Sequence, residues 1–195
     1  MGEIYFSGDS HFSHKNILTY CNRDFQSIEE HDESLIQSWN NTVSPCSIIY
    51  YLGDFCFGKD AIKYLDRLNG FKKFLYLPYS HDKFWLKSYF KNPKLTFINF
   101  LNSIEEIKID GNYYTLSHYP LASWPRSCYG STLLHGHSHG NYQGKGKILD
   151  VGVVSNNYTP LSYNDVKIIM RSKSPFDNVV QQIMDEDDID NSRRN

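Results

Sequence analysis

The residues of this chain best equipped for chemistry are carboxylates and imidazoles in short blocks: Asp9-Ser10-His11, Gly53-Asp54, Ser80-His81-Asp82, Ser117-His118 and His137-Ser138-His139. In an extended segment alternate side chains share a face, so Asp9 and His11 project together, as do His137 and His139. Asp54 is a lone carboxylate whose two oxygens can bridge two cations. His118 adds a further imidazole. Carboxylate and imidazole without thiolate suit Mn, Fe, Zn, Co or Ni and lack the sulfur of a structural zinc site. Two such cations about 3.5–4 Å apart can hold a hydroxide and neutralise a phosphate for in-line displacement. A single histidine at a strand end is more often a hydrogen-bonding or surface residue than a ligand. The ordered set is what points to a metal centre.

Each block follows an apolar run of strand length. Glu3 to Ser7 precedes Asp9, Ser47 to Leu52 precedes Asp54, and Lys72 to Leu77 precedes His81. The second of these, SIIYYL, is continuously apolar and reads as a strand buried on both faces. Glu105 to Ile109 and Tyr113 to Ser117, joined by Asp110-Gly111, read as a hairpin whose second strand ends at His118. Ser131 to Leu134 ends at the His135-Gly136-His137-Ser138-His139 run, and Lys147 to Val151 is a further strand. A helix is expected from about Ile28 to Trp39, with Leu35, Ile36 and Trp39 on one side and Ser27 with Glu30 as a capping box. Others are expected over Asp60 to Leu68, closed by Asn69-Gly70, over Lys83 to Phe90, and from Ser162-x-x-Asp165 to about Met170. Ligand sites in α/β proteins form where loops leave the carboxyl ends of strands, so this order gathers the blocks into one cluster.

The chain has 195 residues, enough for one domain with its own core. Residues 1–170 are expected to form it, and 171–195 to form a polar, loosely attached tail whose acidic run, Asp185 to Asp190, is solvated. With 40% hydrophobic and 15% aromatic residues the composition is that of a globular protein, which excludes a disordered chain. A net charge of -2 gives no support to a generally basic nucleic-acid binder. Cys21, Cys46, Cys56 and Cys128 have no metal-like spacing and read as free thiols of a reducing compartment. No apolar run reaches the roughly 18 residues of a membrane span, and no signal-peptide core follows Met1. The expectation is a cytoplasmic protein without a membrane partner. There is no P-loop and no G-x-S-x-G elbow, so neither a P-loop nucleotide cradle nor a serine hydrolase is supported. Lys72, Lys73, Trp124 and Arg126 are candidates for the rim of the site, with plain packing or solvated charge as the alternative for each.

In order along the chain, GDSHFSH (Gly8 to His14), GDF (Gly53 to Phe55), SHD (Ser80 to Asp82), SHYP (Ser117 to Pro120) and HGHSHG (His135 to Gly140) resemble the calcineurin-like metallophosphoesterase family. The chain is most similar to its small phage and bacterial phosphoesterases, which share a G-D-F segment followed by F-G and a late D-V-G-V, here Gly53 to Gly58 and Asp150 to Val153. The resemblance implies an α/β fold, a four-layered αββα sandwich with the metals at the carboxyl ends of strands. It implies two divalent transition-metal ions, manganese first, with Fe, Zn, Co or Ni as alternatives. Asp9, His11 and His139 would hold the first, Asp54 would bridge, and His118 and His137 would hold the second. His81 would stand over the phosphate, as an acid for the leaving group or as a transition-state stabiliser. The implied activity is a metal-dependent phosphohydrolase that cleaves a phosphomonoester or phosphodiester, nucleotides included, by attack of a metal-bridging hydroxide. His14 and His135 fall outside the implied ligand positions, although His14 remains a candidate substrate contact.

One block departs from the family. Its usual Gly-Asn-His, with the Asn amide oxygen on the second metal, is here Tyr79-Ser80-His81. Ser80 is a shorter and weaker neutral donor, and Tyr79 removes the freedom a glycine gives a tight turn. The departure implies a weaker second metal site and a lower rate. Two further readings follow. One is a nuclease acting on DNA or RNA ends, against which the acidic balance and the lack of a Lys/Arg stripe weigh. The other is a catalytically silent phosphoesterase-fold scaffold, for which the Tyr79-Ser80 change is the sole support.

Overall fold

The computed structural model describes residues 2–91 and 98–174. Its apolar runs form two sheets. In the first, β1 (Ile4–Ser7), β2 (Ile48–Tyr51), β3 (Phe71–Leu75) and β4 (Ile98–Leu101) run parallel, and β9 (Leu161–Ser162) pairs antiparallel with β1, giving the order β4-β3-β2-β1-β9. In the second, β5 (Ile104–Ile109) and β6 (Asn112–Ser117) are an antiparallel hairpin, and β7 (Thr132–His135) and β8 (Ile148–Asp150) add parallel to it, in the order β5-β6-β7-β8. The hairpin turn is the Asp110-Gly111 pair, both at positive φ (48° and 82°), as the turn type demands.

The expectation for Ser47 to Leu52 holds, with β2 itself covering Ile48–Tyr51. Ile49 and Tyr51 join the cluster that contains Leu35, Ile36 and Trp39 of α2 (Ile28–Thr42), Leu65 of α3 (Ile62–Leu65) and Trp85 of α4 (Lys83–Lys91). Tyr50 and Leu52 join the other cluster, with Phe6, Leu75, and Tyr114, Leu116 and Leu134 of the second sheet. Each fully buried aliphatic or aromatic side chain contributes about 1.5–3 kcal/mol, so these two faces set the register of the strand. The result is a mixed α/β sandwich: helices on one face of the first sheet and the second sheet against the other. α5 (Tyr163–Arg171) feeds Tyr163, Val166 and Met170 into the core between the sheets. On the other face of the second sheet, Leu133 and Ile148 pack under Trp124 and Leu121.

Both expected caps are present. Ser27 accepts from the Glu30 amide at 3.2 Å, and Ser162 from the Asp165 amide at 3.1 Å. α3 is shorter than its apolar pattern, because after Leu65 the chain tightens into i,i+3 bonds, Arg67 to Tyr64 and Leu68 to Leu65, before Gly70. A four-residue helix, α1 (Ile17–Tyr20), and the strands β4 and β9 were not expected from the sequence. Of the expected tail, Arg171 closes α5, and residues 175–195 lie outside the described residues. Among the described residues no helix is long and apolar enough to cross a membrane.

Candidate metal centre

The loops that leave β1, β2, β3, β6 and β7 meet at one end of the sandwich. They are stitched by backbone bonds: Asp9 to the Gly53 carbonyl, His11 to that of Asp54, and Phe12 to that of Phe55, each at 2.9 Å. Gly136 donates to the His118 carbonyl at 3.0 Å, and Val153 to that of Gly8 at 3.0 Å, which ties the two sheets together at the same end. Asp9, His11, Asp54, His137 and His139 all adopt positive φ, between 47° and 67°. This sparsely populated conformation costs free energy that surrounding contacts must offset, and it clusters where a geometry is imposed for use.

Three sets of side chains have donor atoms that all lie within 4.8 Å of one another: Asp9, His11 and His139; His11, Asp54 and His81; and Asp54, His118 and His137. Asp54 and His11 each belong to two sets, so the sets form one continuous centre. Asp54 Oδ2 faces His11 Nε2 at 3.6 Å and His118 Nε2 at 3.4 Å, and its Oδ1 accepts from the His81 amide at 3.2 Å. His118 Nδ1 donates to the Leu52 carbonyl at 2.9 Å, which fixes the ring and turns Nε2 inward. Asp9 Oδ2 accepts from the His137 amide at 2.8 Å.

The donor set fits a divalent cation. Asp9 Oδ1, both ring nitrogens of His11 and His139 Nδ1 are buried without a hydrogen-bond partner, a costly condition that ligation relieves. Burial pushes the Asp9 carboxyl up to about 8 against the pull of His118, with the charges of Asp54 and Asp150 adding to the rise. Burial also drives His11 well below its usual value and His139 down to about 4, so both rings are neutral, as ligation needs. For Asp54 burial acts upward, but the hydrogen bond and charge of His118 lead the effects that overcome it and hold the carboxyl below its usual range.

Ser80 lines the cavity beside the three sets. Its hydroxyl donates to the Leu77 carbonyl at 3.1 Å and accepts from the Asp82 amide at 3.1 Å, as a turn residue ahead of α4. The strain expected at Tyr79 is absent, because its φ is not positive and its ring is 95% exposed. His14 and His135 lie outside the sets. His14 stacks on Phe57 at 4.5 Å, and His135 donates to the Gly136 carbonyl at 2.8 Å. The rim candidates lie elsewhere: Lys72 binds the Leu68 and Gly70 carbonyls, Lys73 lies over the Tyr50 ring, Arg126 pairs with Glu106, and Trp124 is packed in the second sheet's cover.

The donors are held from behind by groups that no ligand motif marks. Arg23, 3% exposed, donates to the Asp9 carbonyl at 2.7 Å and the Ser10 carbonyl at 2.9 Å. Asp82 Oδ1 accepts from the Phe55 amide at 2.8 Å, the Cys56 amide at 3.3 Å and the Trp85 indole at 2.6 Å, which pins the loop after Asp54 to α4. Asp150 accepts from Ser138 Oγ at 2.7 Å and from the amides of Gly140 at 2.9 Å and Gly152 at 2.8 Å, and so shapes the His137–His139 loop. The buried charges of Asp82 and Asp150 stood in view within the SHD and D-V-G-V segments. Arg23 carried no local signal.

The uncharacterised protein MJ1445 of Methanocaldococcus jannaschii is 33% identical to this chain over 185 residues, spanning 89% of this chain and 94% of that protein. The chain belongs to the MJ1445 family. A protein of unknown function from Aquifex aeolicus, AQ665, shares the fold of this MJ1445-family chain, with a TM-score of 0.66 and 24% identity over 86% of this chain and 98% of its own. An archaeal phosphodiesterase structure aligns at a TM-score of 0.43 and 16% identity, over 77% and 82% of the two chains. No protein-family model matches the sequence.

Proposed function

We propose that this chain is a metal-dependent phosphoesterase of the calcineurin-like type, acting on a phosphomonoester or phosphodiester. The observation that carries the reading is the shared carboxylate: Asp54 belongs both to the set with His11 and His81 and to the set with His118 and His137. Asp9, His11, His139 and Asp54 would hold one divalent cation, and Asp54, His118 and His137 the other, manganese being the first candidate. Bound there, the pair would neutralise phosphate charge and lower the pKa of an attacking water.

The chain's own groups do the rest. Asp54 keeps its charge and anchors the His81 amide through Oδ1. His81 is exposed at the mouth, with its ring 5.2 Å from that of His11, and protonates the departing oxygen or braces the phosphate. Ser80 Oγ is engaged in its own turn, and a serine there is a weaker donor than an amide oxygen, so the second cation would bind more weakly than the first. The reading extends to the four-layered αββα sandwich of that family, in which the Leu121–Trp124 segment stands as a thin cover on the second sheet.

The test is the initial rate on bis-p-nitrophenyl phosphate and p-nitrophenyl phosphate across a Mn²⁺ titration, with Asp54→Ala and His81→Ala alongside. A rate that rises with metal and collapses in Asp54→Ala supports the reading. Protein that hydrolyses neither ester faster than Asp54→Ala overturns it and favours a silent scaffold.

A further inference from the structure

The cavity over the metal centre, about 470 Å³, is lined by Asp54, His81 and His137 and by the rings of Phe57, Phe84 and Tyr119. It shares Tyr79, Ser80 and Tyr119 with a neighbouring groove of about 510 Å³ at the ends of β3, β4 and β6 and the start of β5. Among the described residues no charged side chain lines that groove. Its walls are Tyr76, Leu77, Leu101, Ile104 and Leu121, with Asn102 and Ser103 at one edge. The patch leaves large apolar groups in water: Tyr79 is 95% exposed, Ile104 51% and Tyr119 48%. Contiguous exposure of this kind beside a polar centre marks a binding surface.

Resting on the phosphoesterase reading, we propose that the groove is a nucleobase subsite, and that the substrate is a nucleoside phosphate ester whose base stacks against Tyr79 and Tyr119 while its phosphate lies at the metal centre. Aromatic side chains bind bases through their faces whatever the base. The uncharged walls disfavour a second phosphate in the groove, and among the described residues Lys83 is the one lysine or arginine lining either cavity. A polynucleotide tracks along several cations, so the lining favours a small ester over a strand. The Ser103 hydroxyl and the Asn102 side-chain oxygen can meet the polar edge of a base, whereas an alkyl chain would strand them.

Calorimetric titration of the Mn²⁺-loaded full chain with AMP and with ribose 5-phosphate tests this. AMP is expected to bind about tenfold more tightly or better, within what one stacked base contributes. Tyr79→Ala and Ile104→Glu should each bring the ratio to within about threefold of unity, while Tyr129→Ala, on a remote exposed ring, keeps it. Equal affinities in the parent protein, a ratio indifferent to both groove variants, or octyl phosphate binding as tightly as AMP overturns the subsite; the last would make the groove an alkyl site. Turnover of bis-p-nitrophenyl phosphate on the same samples separates the two readings. Turnover without an AMP preference rejects the subsite alone, and an AMP preference without turnover rejects the esterase alone.

Discussion

Arg23 reaches the Asp9 carbonyl from the buried side of the loop that carries the first donors, at 2.7 Å. The same guanidinium meets His31 Nε2 at 2.7 Å. A guanidinium can only donate, so His31 accepts at Nε2, carries its proton on Nδ1 and donates to Asp32 Oδ1 at 2.9 Å. Asp32 in turn accepts from the Ser13 amide at 3.0 Å and from the Tyr64 hydroxyl at 2.5 Å. A buried polar chain therefore runs from α2 to Asp9, holding a segment whose residues Asp9, His11 and Ser13 all have positive φ.

Arg23→Met should leave the Asp9 and Ser10 carbonyls without their donor, at a cost of about 1–3 kcal/mol each. Because those carbonyls belong to the donor loop, Mn²⁺ affinity should also fall, by about tenfold or more. Arg23→Lys retains one charge but cannot span both carbonyls and His31, so it should recover only part of the loss. Urea unfolding and Mn²⁺ calorimetry on both variants measure the two effects separately. Unchanged metal affinity in a destabilised Arg23→Met protein would reduce Arg23 to a structural residue.

Gly152 makes a different demand. A Cβ built there would lie 2.5 Å from Asp9 Oδ2 and 2.9 Å from Asp150 Oδ1, inside any real contact distance. Gly152→Ala must therefore push aside a carboxylate that belongs to the metal centre or one that shapes it. The expected outcome is a loss of Mn²⁺ affinity of about tenfold, with about 1–3 kcal/mol of destabilisation from overpacking. Gly111→Ala is the control for a glycine facing open space, since nothing lies within 4 Å of its added Cβ; its φ of +82° still costs stability, but metal affinity should not change.

The donors were legible in the sequence because each closes an apolar run, and a run of four or five residues with a Gly-Asp or Ser-His end carries its own boundary. SIIYYL, the Asp110-Gly111 turn and the Ser27 and Ser162 caps are local devices, and all are found where they were expected. β4 was hidden because Ile98–Leu101 owes its strand to pairing with β3 rather than to a local signal. β9 has two residues and exists only through β1. The turn bond that the Ser80 hydroxyl accepts from the Asp82 amide could not be read from its ligand-like neighbours. Arg23 lies 14 positions from the Asp9 carbonyl it binds, so its role was visible only after folding.

Asp150 offers a test of how much the His137–His139 loop depends on one carboxylate. Its three acceptor bonds hold Ser138, Gly140 and Gly152, so both flanks of His139 rest on it. Asp150→Ala should release the loop and blunt the thermal stabilisation that Mn²⁺ gives. A ligand at 100 times its Kd adds about 2.7 kcal/mol to the folded state, and a tenfold weaker site at the same concentration adds about 1.4 kcal/mol. Melting curves with and without saturating Mn²⁺, repeated after chelation, read this directly. An equal Mn²⁺ shift in Asp150→Ala and the parent would mean that the loop holds His139 without it.

Lys72 gives a prediction that does not involve metal. It is 6% exposed at the start of β3, and burial lowers its ammonium from 10.5 to about 8. Between those values the unfolded chain keeps a proton that the folded protein has released, so folding becomes more favourable as pH rises through the window. The span is about 2.5 pH units, an order-of-magnitude gain of about 3 kcal/mol if no other group titrated. Buried acids oppose it at the upper end: burial raises the Cys56 thiol from 9.0 to about 12, and burial with Glu3 raises Tyr5 from 10.0 to about 12, so the folded state is penalised once unfolded thiol and tyrosine ionise near 9 and 10. Stability from urea unfolding should therefore climb from pH 8 to about 9 and then flatten. In Lys72→Met the climb should vanish, even though the Leu68 and Gly70 carbonyls lose their donor and the protein is weaker throughout. A difference between parent and Lys72→Met stability that does not grow between pH 8 and 9.5 would show that Lys72 stays solvated.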